Sequence, residues 1–149
     1  MKRTLVLLLP MALVAGCGTT SEPTRGSEFA APNPLLRGEI QKRIDNVPYL
    51  HREELLDSLL WLTVQGEVAM DQLLEALGAQ DPKIRSSSSW CLGRIGDRRA
   101  IPALRQRAEV EEDEVARLEL ARTLLVLGDF ARVPVLIAGL ESEDRKSVV

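Results

Sequence analysis

Asp81-Pro82-Lys83-Ile84-Arg85, then Leu92, then Gly96-Asp97, then Ile101-Pro102-Ala103-Leu104, is a pattern that this chain writes twice. About 32 residues further on stands Asp113-Glu114-Val115-Ala116-Arg117, then Leu124, then Gly128-Asp129, then Val133-Pro134-Val135-Leu136. The Asp, Arg, Leu, Gly-Asp, Pro and Leu recur in register. A period in this range marks a solenoid, in which each repeat is one small unit that stacks on the next. A single helical hairpin is too thin to bury its own apolar face, so neighbours must cover it. The expected fold class is all-α: an α-solenoid of stacked antiparallel helix pairs.

The helices follow from spacing and end signals. Asp81 caps a helix whose first turn holds Pro82, where the missing N–H costs nothing. That helix places Ile84, Ser88, Cys91, Leu92 and Ile95 on one side, and Gly96 ends it. Asp97 then caps a helix from about Arg98 to Ala108, with Pro102 near its start, where it is tolerated better than in mid-helix. Asp113 to Leu127 repeats the pattern with Ala116, Leu120, Leu124 and Leu127, and Phe130 to Leu140 is its successor. Towards the N-terminus, Leu36, Ile40 and Ile44 fall on one face of a short helix that ends near Asn46, before Val47-Pro48. A second carries Leu55, Leu56, Leu59, Leu60 and Leu62 and stops at Gly66; a third runs from Val68 to Leu77, closed by Gly78.

Composition agrees. Hydrophobic residues make up 45% of the 149 and charged residues 28%, as in a folded soluble protein. Aromatics are only 3%, so the core must be built from Leu, Ala, Val and Ile, which suits thin stacked helices. The formal charge of −3 gives no basic footprint for nucleic acid.

The N-terminus reads as an address. Lys2-Arg3 precedes the apolar run Thr4 to Leu13, and Val14-Ala15-Gly16-Cys17 follows. A charged start, a short apolar stretch and small residues before a cut site describe a secretory leader, and the run is too short to span a bilayer stably. Val14-Ala15-Gly16-Cys17 resembles the lipobox of bacterial lipoproteins, with Val14 where that family more often has Leu. The resemblance implies that residues 1–16 are removed and that Cys17 is lipidated, with diacylglycerol on the thiol and an acyl chain such as palmitate on the amine. Gly18 after the Cys then implies release to the outer membrane if the cell is Gram-negative. Loss of Lys2 and Arg3 would leave 17 basic and 22 acidic side chains, a formal charge of −5. Residues 17–34 are the lipidated Cys and a Gly/Pro/Ser/Thr-rich tether of roughly 17 residues, with a coil span on the order of 20–25 Å. Phe29 is its single large apolar residue and is expected to be solvated.

The repeat domain is expected over 35–149. Asp-Pro-x-Ile-Arg followed by Trp-x-Leu-Gly-x-Ile-Gly-Asp-x-x-Ala-Ile-Pro-x-Leu resembles the short HEAT-like repeat first associated with phycobilisome lyases. The likeness covers Val68 to the C-terminus well and extends weakly back to His51. It implies that Asp81, Arg85, Asp113 and Arg117 form a structural ladder between neighbouring repeats, each pair also standing at i, i+4 within one helix. The closing stretch Glu143-Asp144-Arg145-Lys146-Ser147-Val148-Val149 resembles the opening of another such helix, with Val148 where the Arg should be. The last repeat is therefore expected to be incomplete.

Chemistry is hard to find. His51 is the single histidine and has no nucleophile beside it in sequence; a surface position is expected. Cys91 lies on the expected core face, where a free Cys behaves as a small hydrophobe. There is no His/Cys cluster with metal spacing and no Gly-rich phosphate loop. The acidic run Glu109 to Glu114 reads as a solvated turn whose carboxylates favour the next helix's N-terminus. The run Ser86 to Ser89 departs from the family's preference for Ala. It either keeps helices close or presents hydroxyls to a ligand.

No catalytic residue, metal or cofactor is therefore expected. The candidate partner surface is Ser86, Ser89, Trp90 and Arg122. Trp90 falls off the face formed by Ile84, Ser88, Cys91 and Ile95, and Arg122 stands one repeat later at the same helical position. The resemblance implies that the second helix of each pair lines the concave surface, and Trp and Arg are enriched in interface hot spots. The expected function is a membrane-anchored, extracytoplasmic scaffold or adaptor that binds a protein partner, with no nucleic acid and no evident small-molecule substrate. The alternatives are an enzyme or subunit of the bilin-lyase type and a purely structural envelope lipoprotein.

Overall fold

Short polar caps start the helices that carry the fold. The computed structural model describes residues 27–132 together with positions 134 and 138. Six α-helices are described: α1 (Pro34–Asn46), α2 (Arg52–Val64), α3 (Met70–Ala76), α4 (Pro82–Ile95), α5 (Ile101–Val110) and α6 (Glu114–Val126). No strand occurs among the described residues. Asn33 accepts from the Leu36 amide at 2.9 Å, Asp81 from Lys83 at 2.7 Å and Asp113 from Ala116 at 2.9 Å. Each cap satisfies an orphan donor and contributes about 1 kcal/mol. Gly96 (φ +79°) and Gly128 (φ +85°) turn the chain out of α4 and α6 through the left-handed region that other residues resist.

The helices pack in two layers. α2 lies on α4 and α4 on α6; α3 packs against α4 and α1, and α5 against α6. Thus α2, α4 and α6 form one layer, and α1, α3 and α5 the other. The core between them is aliphatic, with Ile40, Leu62, Met70, Leu73, Leu92, Leu104, Leu120 and Leu124 all essentially sealed from water. Each large side chain buried there contributes about 1.5–3 kcal/mol. The α4–α6 contact is tighter still. A Cβ on Gly93 would stand 3.1 Å from Cγ2 of Thr123, and the Thr123 hydroxyl donates to the Ser89 carbonyl at 3.1 Å.

Two expectations need correction. The helix expected from Arg98 to Ala108 is split into a 3₁₀ turn, Arg98–Ala100, and α5, which runs on to Val110. In a continuous α-helix the carbonyl of Arg98 would need an N–H from residue 102, and Pro102 has none. A similar 3₁₀ turn, Gly66–Ala69, precedes α3 without a proline, and nothing in the sequence explains it. Second, Phe29 is half-buried rather than solvated. It lies 4.5 Å from the Arg99 guanidinium, which also donates to the Glu28 carbonyl at 3.1 Å. One arginine supplies both a flat cation and a donor, so a polar segment with one aromatic ring can lie against the domain. The leader, Cys17 and the first part of the tether lie outside the described residues. So do most of the helix expected at Phe130 to Leu140 and the final partial repeat.

Candidate functional site: an apolar groove across α2, α4 and α6

Stacking three helices in one layer leaves their outward stripes side by side. On α2, Arg52, Leu55, Leu56 and Leu59 stand at i, i+3, i+4 and i+7, one continuous stripe. On α4 the stripe is Ser86, Ser87 and Trp90, and on α6 it is Val115 and Glu119. Together they enclose a groove of about 320 Å³. Leucines of α2 line one side, Val115 and Glu119 of α6 the other, and Ser86, Ser87 and Trp90 of α4 lie between them. Leu56 is 48% exposed and Val115 69% exposed, so large apolar surface stays in water here. Trp90 is half-buried and packs against the core while still lining the groove.

Charge is placed sparingly around this apolar surface. The Arg94 guanidinium lies 5.3 Å from the Trp90 ring centre. Arg122 is exposed and stands 3.8 Å from Glu119, one turn away on α6. Burial pushes the Glu119 carboxyl above its ordinary value, and the charge of Arg122 offsets part of that rise. Arg52, at the end of the α2 stripe, takes a φ of +46°, a left-handed conformation rare for a residue with a Cβ.

The sequence-derived surface is brought together only in part. Ser86 and Trp90 line the groove. The Ser86 hydroxyl donates back to the Lys83 carbonyl at 3.1 Å, so its proton is already used. Arg122 is exposed on the α6 stripe beside Glu119. Ser89 does not belong to this surface: it is fully buried, with its hydroxyl unpartnered and its carbonyl bonded to Thr123. Ser87, Ser88 and Ser89 are all buried, so most of the serine run serves the close approach of helices. Sequence reasoning missed Arg52, Leu55, Leu56, Leu59, Ser87, Val115 and Glu119. The signal was present in α2, whose leucines cover more of the helix circumference than one core contact needs.

The ladder is built differently from the expected one. Arg85 donates through Nε to Oε2 of Glu111 at 2.7 Å and through Nη2 to Oε1 at 2.6 Å. Its Nη1 donates to the carbonyls of Ala79 (3.0 Å) and Gln80 (2.6 Å). Glu111 also accepts from Arg107 Nε and from the Asp113 amide, both at 3.0 Å. Asp81 and Asp113 act on Arg85 through charge, while each caps its own helix through Oδ1. Arg117 is exposed. The acidic run is thus not wholly solvated: Glu111 is buried, and the Arg85 guanidinium beside it holds its carboxyl down at about 2.

Neither of the remaining candidates lines the groove. His51 is exposed at the start of α2. Cys91 is buried with its thiol 3.7 Å from the Leu59 carbonyl, and burial pushes that thiol up to about 12, far from the reactive thiolate. Among the described residues no group of acids, His or Cys could hold a metal ion, and no helix is long and apolar enough to cross a membrane.

Two helix layers, aspartate-capped repeats and an open groove on one layer define a helical-repeat solenoid. The family model for HEAT repeats matches residues 44–125 and again 70–149. The chain belongs to the HEAT-repeat family. No curated protein and no solved structure matches it.

Proposed function

We propose that this chain is a lipid-anchored, extracytoplasmic scaffold that holds a protein partner in the groove across α2, α4 and α6. The observation that carries the reading is the groove itself, where Leu56, Val115 and one side of Trp90 stay in water on a family fold suited to protein interaction. Contiguous apolar surface rimmed by polar residues marks interaction sites, and Trp and Arg are its strongest anchors. The anchor rests on the order of the leader: basic start, apolar run, then Val14-Ala15-Gly16-Cys17. Several acyl chains at about 0.8 kcal/mol per buried CH₂ would hold the chain at the membrane.

Cross-linking and pull-down from the cell's own membranes test both halves. The parent is expected to recover one protein in stoichiometric amount, and Leu56→Glu or Trp90→Ala to lose it while keeping a helical circular-dichroism spectrum. Equal recovery by parent and variants would move the binding surface elsewhere. Cys17→Ala is expected to shift the protein to the soluble fraction; continued fractionation with lipid would remove the anchor.

A further inference from the structure

Contacts between turns sort the helix ends into two edges. The 3₁₀ turns Gly66–Ala69 and Arg98–Ala100, which follow α2 and α4, are joined by Arg99 and Glu67 at 2.9 Å. Gln72, in the first turn of α3, donates to the Arg37 carbonyl near the start of α1 at 3.1 Å, so α1 begins at this edge too. The opposite edge holds the starts of α2 and α4 and the turn before α6. There Lys83 Nζ donates to the Leu50 carbonyl at 2.6 Å, and Arg85 holds Glu111. The groove lies towards this second edge. Leu56 and Trp90 precede Gly66 and Gly96 by ten and six residues, about 15 and 9 Å along the helix axis.

The chain enters the domain at the first edge and is held there twice. Asn33 caps α1. Four residues earlier, Phe29 packs against the core with the Arg99 guanidinium over its ring, and Arg99 also donates to the Glu28 carbonyl at 3.1 Å. The Phe29 amide donates to Ser27 Oγ at 3.0 Å, so the held segment begins at Ser27. Nine residues, 18–26, separate Ser27 from Cys17. Chain length predicts a coil span of roughly 15–18 Å for nine residues, and roughly 19–23 Å for the fifteen that would lead to Asn33 without the Phe29 contact. Turning the array over would put one helix length, about 20 Å, between Ser27 and the lipid. The short leash does not cover that distance; the long one does.

We infer that the anchored chain stands with its Gly66–Ala69 and Arg98–Ala100 edge towards the membrane, held so by the docked Phe29 segment, and presents the groove away from the lipid. The inference rests on the anchor proposed above. A protein partner then reaches Leu56 and Trp90 from the aqueous side.

The test uses the full chain with its native lipid in phosphatidylethanolamine–phosphatidylglycerol vesicles that carry a headgroup-nitroxide lipid as quencher. A thiol-reactive dye is placed at Arg98→Cys on the first edge or at Glu112→Cys on the second, both exposed positions, while Cys91 is sealed in the core. With about 20 Å between the edges, the dye at 98 is expected to be quenched at least about twofold more than the dye at 112. Adding Arg99→Ala or Phe29→Ala is expected to bring the two positions towards equal quenching. Equal quenching in the parent, or stronger quenching at 112, overturns the orientation while flotation with the vesicles still upholds the anchor. A difference that survives both Arg99→Ala and Phe29→Ala overturns the docked segment as its cause. Failure to float, or a second dye taken up at Cys17, overturns the anchor and the orientation with it.

Discussion

Two ion clusters on this molecule use nearly the same bonds and differ in the water around them. In one, Glu111 sits between Arg85 and Arg107, with contacts of 2.6 and 3.0 Å and side chains 0%, 9% and 22% exposed. In the other, Arg99 sits between Asp97 and Glu67 at 2.6 and 2.9 Å, with side chains 43%, 20% and 46% exposed. The first joins the turn before α4, α4 itself, the end of α5 and the start of α6. The second joins two surface turns and the segment around Phe29. Contact distance does not separate them. Exposed pairs contribute about 0–1 kcal/mol, whereas breaking a buried pair strands a charge where water cannot reach it.

The largest expected effect is therefore at Glu111. Glu111→Ala leaves Arg85 buried with two carbonyl partners and only the unbonded charges of Asp81 and Asp113, and should destabilise by about 3–5 kcal/mol. Glu111→Gln keeps the shape and one acceptor and should cost less. Urea unfolding followed by circular dichroism measures both. A midpoint for Glu111→Ala equal to the parent's would mean that the cluster does not hold the repeats together.

Acid should read the same cluster without mutation. The folded-state carboxyl of Glu111 is held down at about 2, below its ordinary 4.5, chiefly by its bond to Arg85. A lowered acid pKa contributes stability that is complete above the ordinary value and is lost as the pH falls towards the folded one. Stability should therefore decline between about pH 4.5 and 2, and the decline should be shallower in Glu111→Gln. Equal slopes for parent and variant would put the acid sensitivity in other carboxylates.

Much of the architecture was legible because it is local. Asp81, Pro82, Gly96 and Asp113 act within one turn of themselves, so their sequence positions fix the helix ends. Trp90 and Ser86 could be placed on the outward face by helical angle alone. Ser89 could not, since its neighbour Thr123 is 34 positions away and covers a side that a single helix leaves open. Glu111 was hidden for the same reason. In sequence it is one acid among several, and its partner Arg85 lies 26 positions back. The repeat pattern pairs the arginines with aspartates, whereas in the fold Asp81 caps α4 and Glu111 takes the two bonds of Arg85. The groove needed three helices in register before its leucines and Val115 could be seen as one surface.

The smallest expected effect is at Arg99, and it sharpens the comparison most. Its guanidinium is raised by its bonds to Asp97 and Glu67, and Asp97 is lowered in turn, so the attraction is present. Water and salt dilute it, because the charges stand within reach of a screening atmosphere whose length is about 8–10 Å at ordinary ionic strength. Arg99→Ala should therefore leave the urea midpoint where it was. It should still remove the cation beneath Phe29 and the donor to the Glu28 carbonyl. Limited proteolysis between Ser27 and Asn33 should accelerate, and high salt should have the same effect on the parent. The Glu111 cluster, sealed from that atmosphere, should show little response to salt. If Arg99→Ala lowers the midpoint as far as Glu111→Ala does, burial is not what distinguishes the two clusters, and the anchoring of the Phe29 segment belongs among the forces that hold the repeats together.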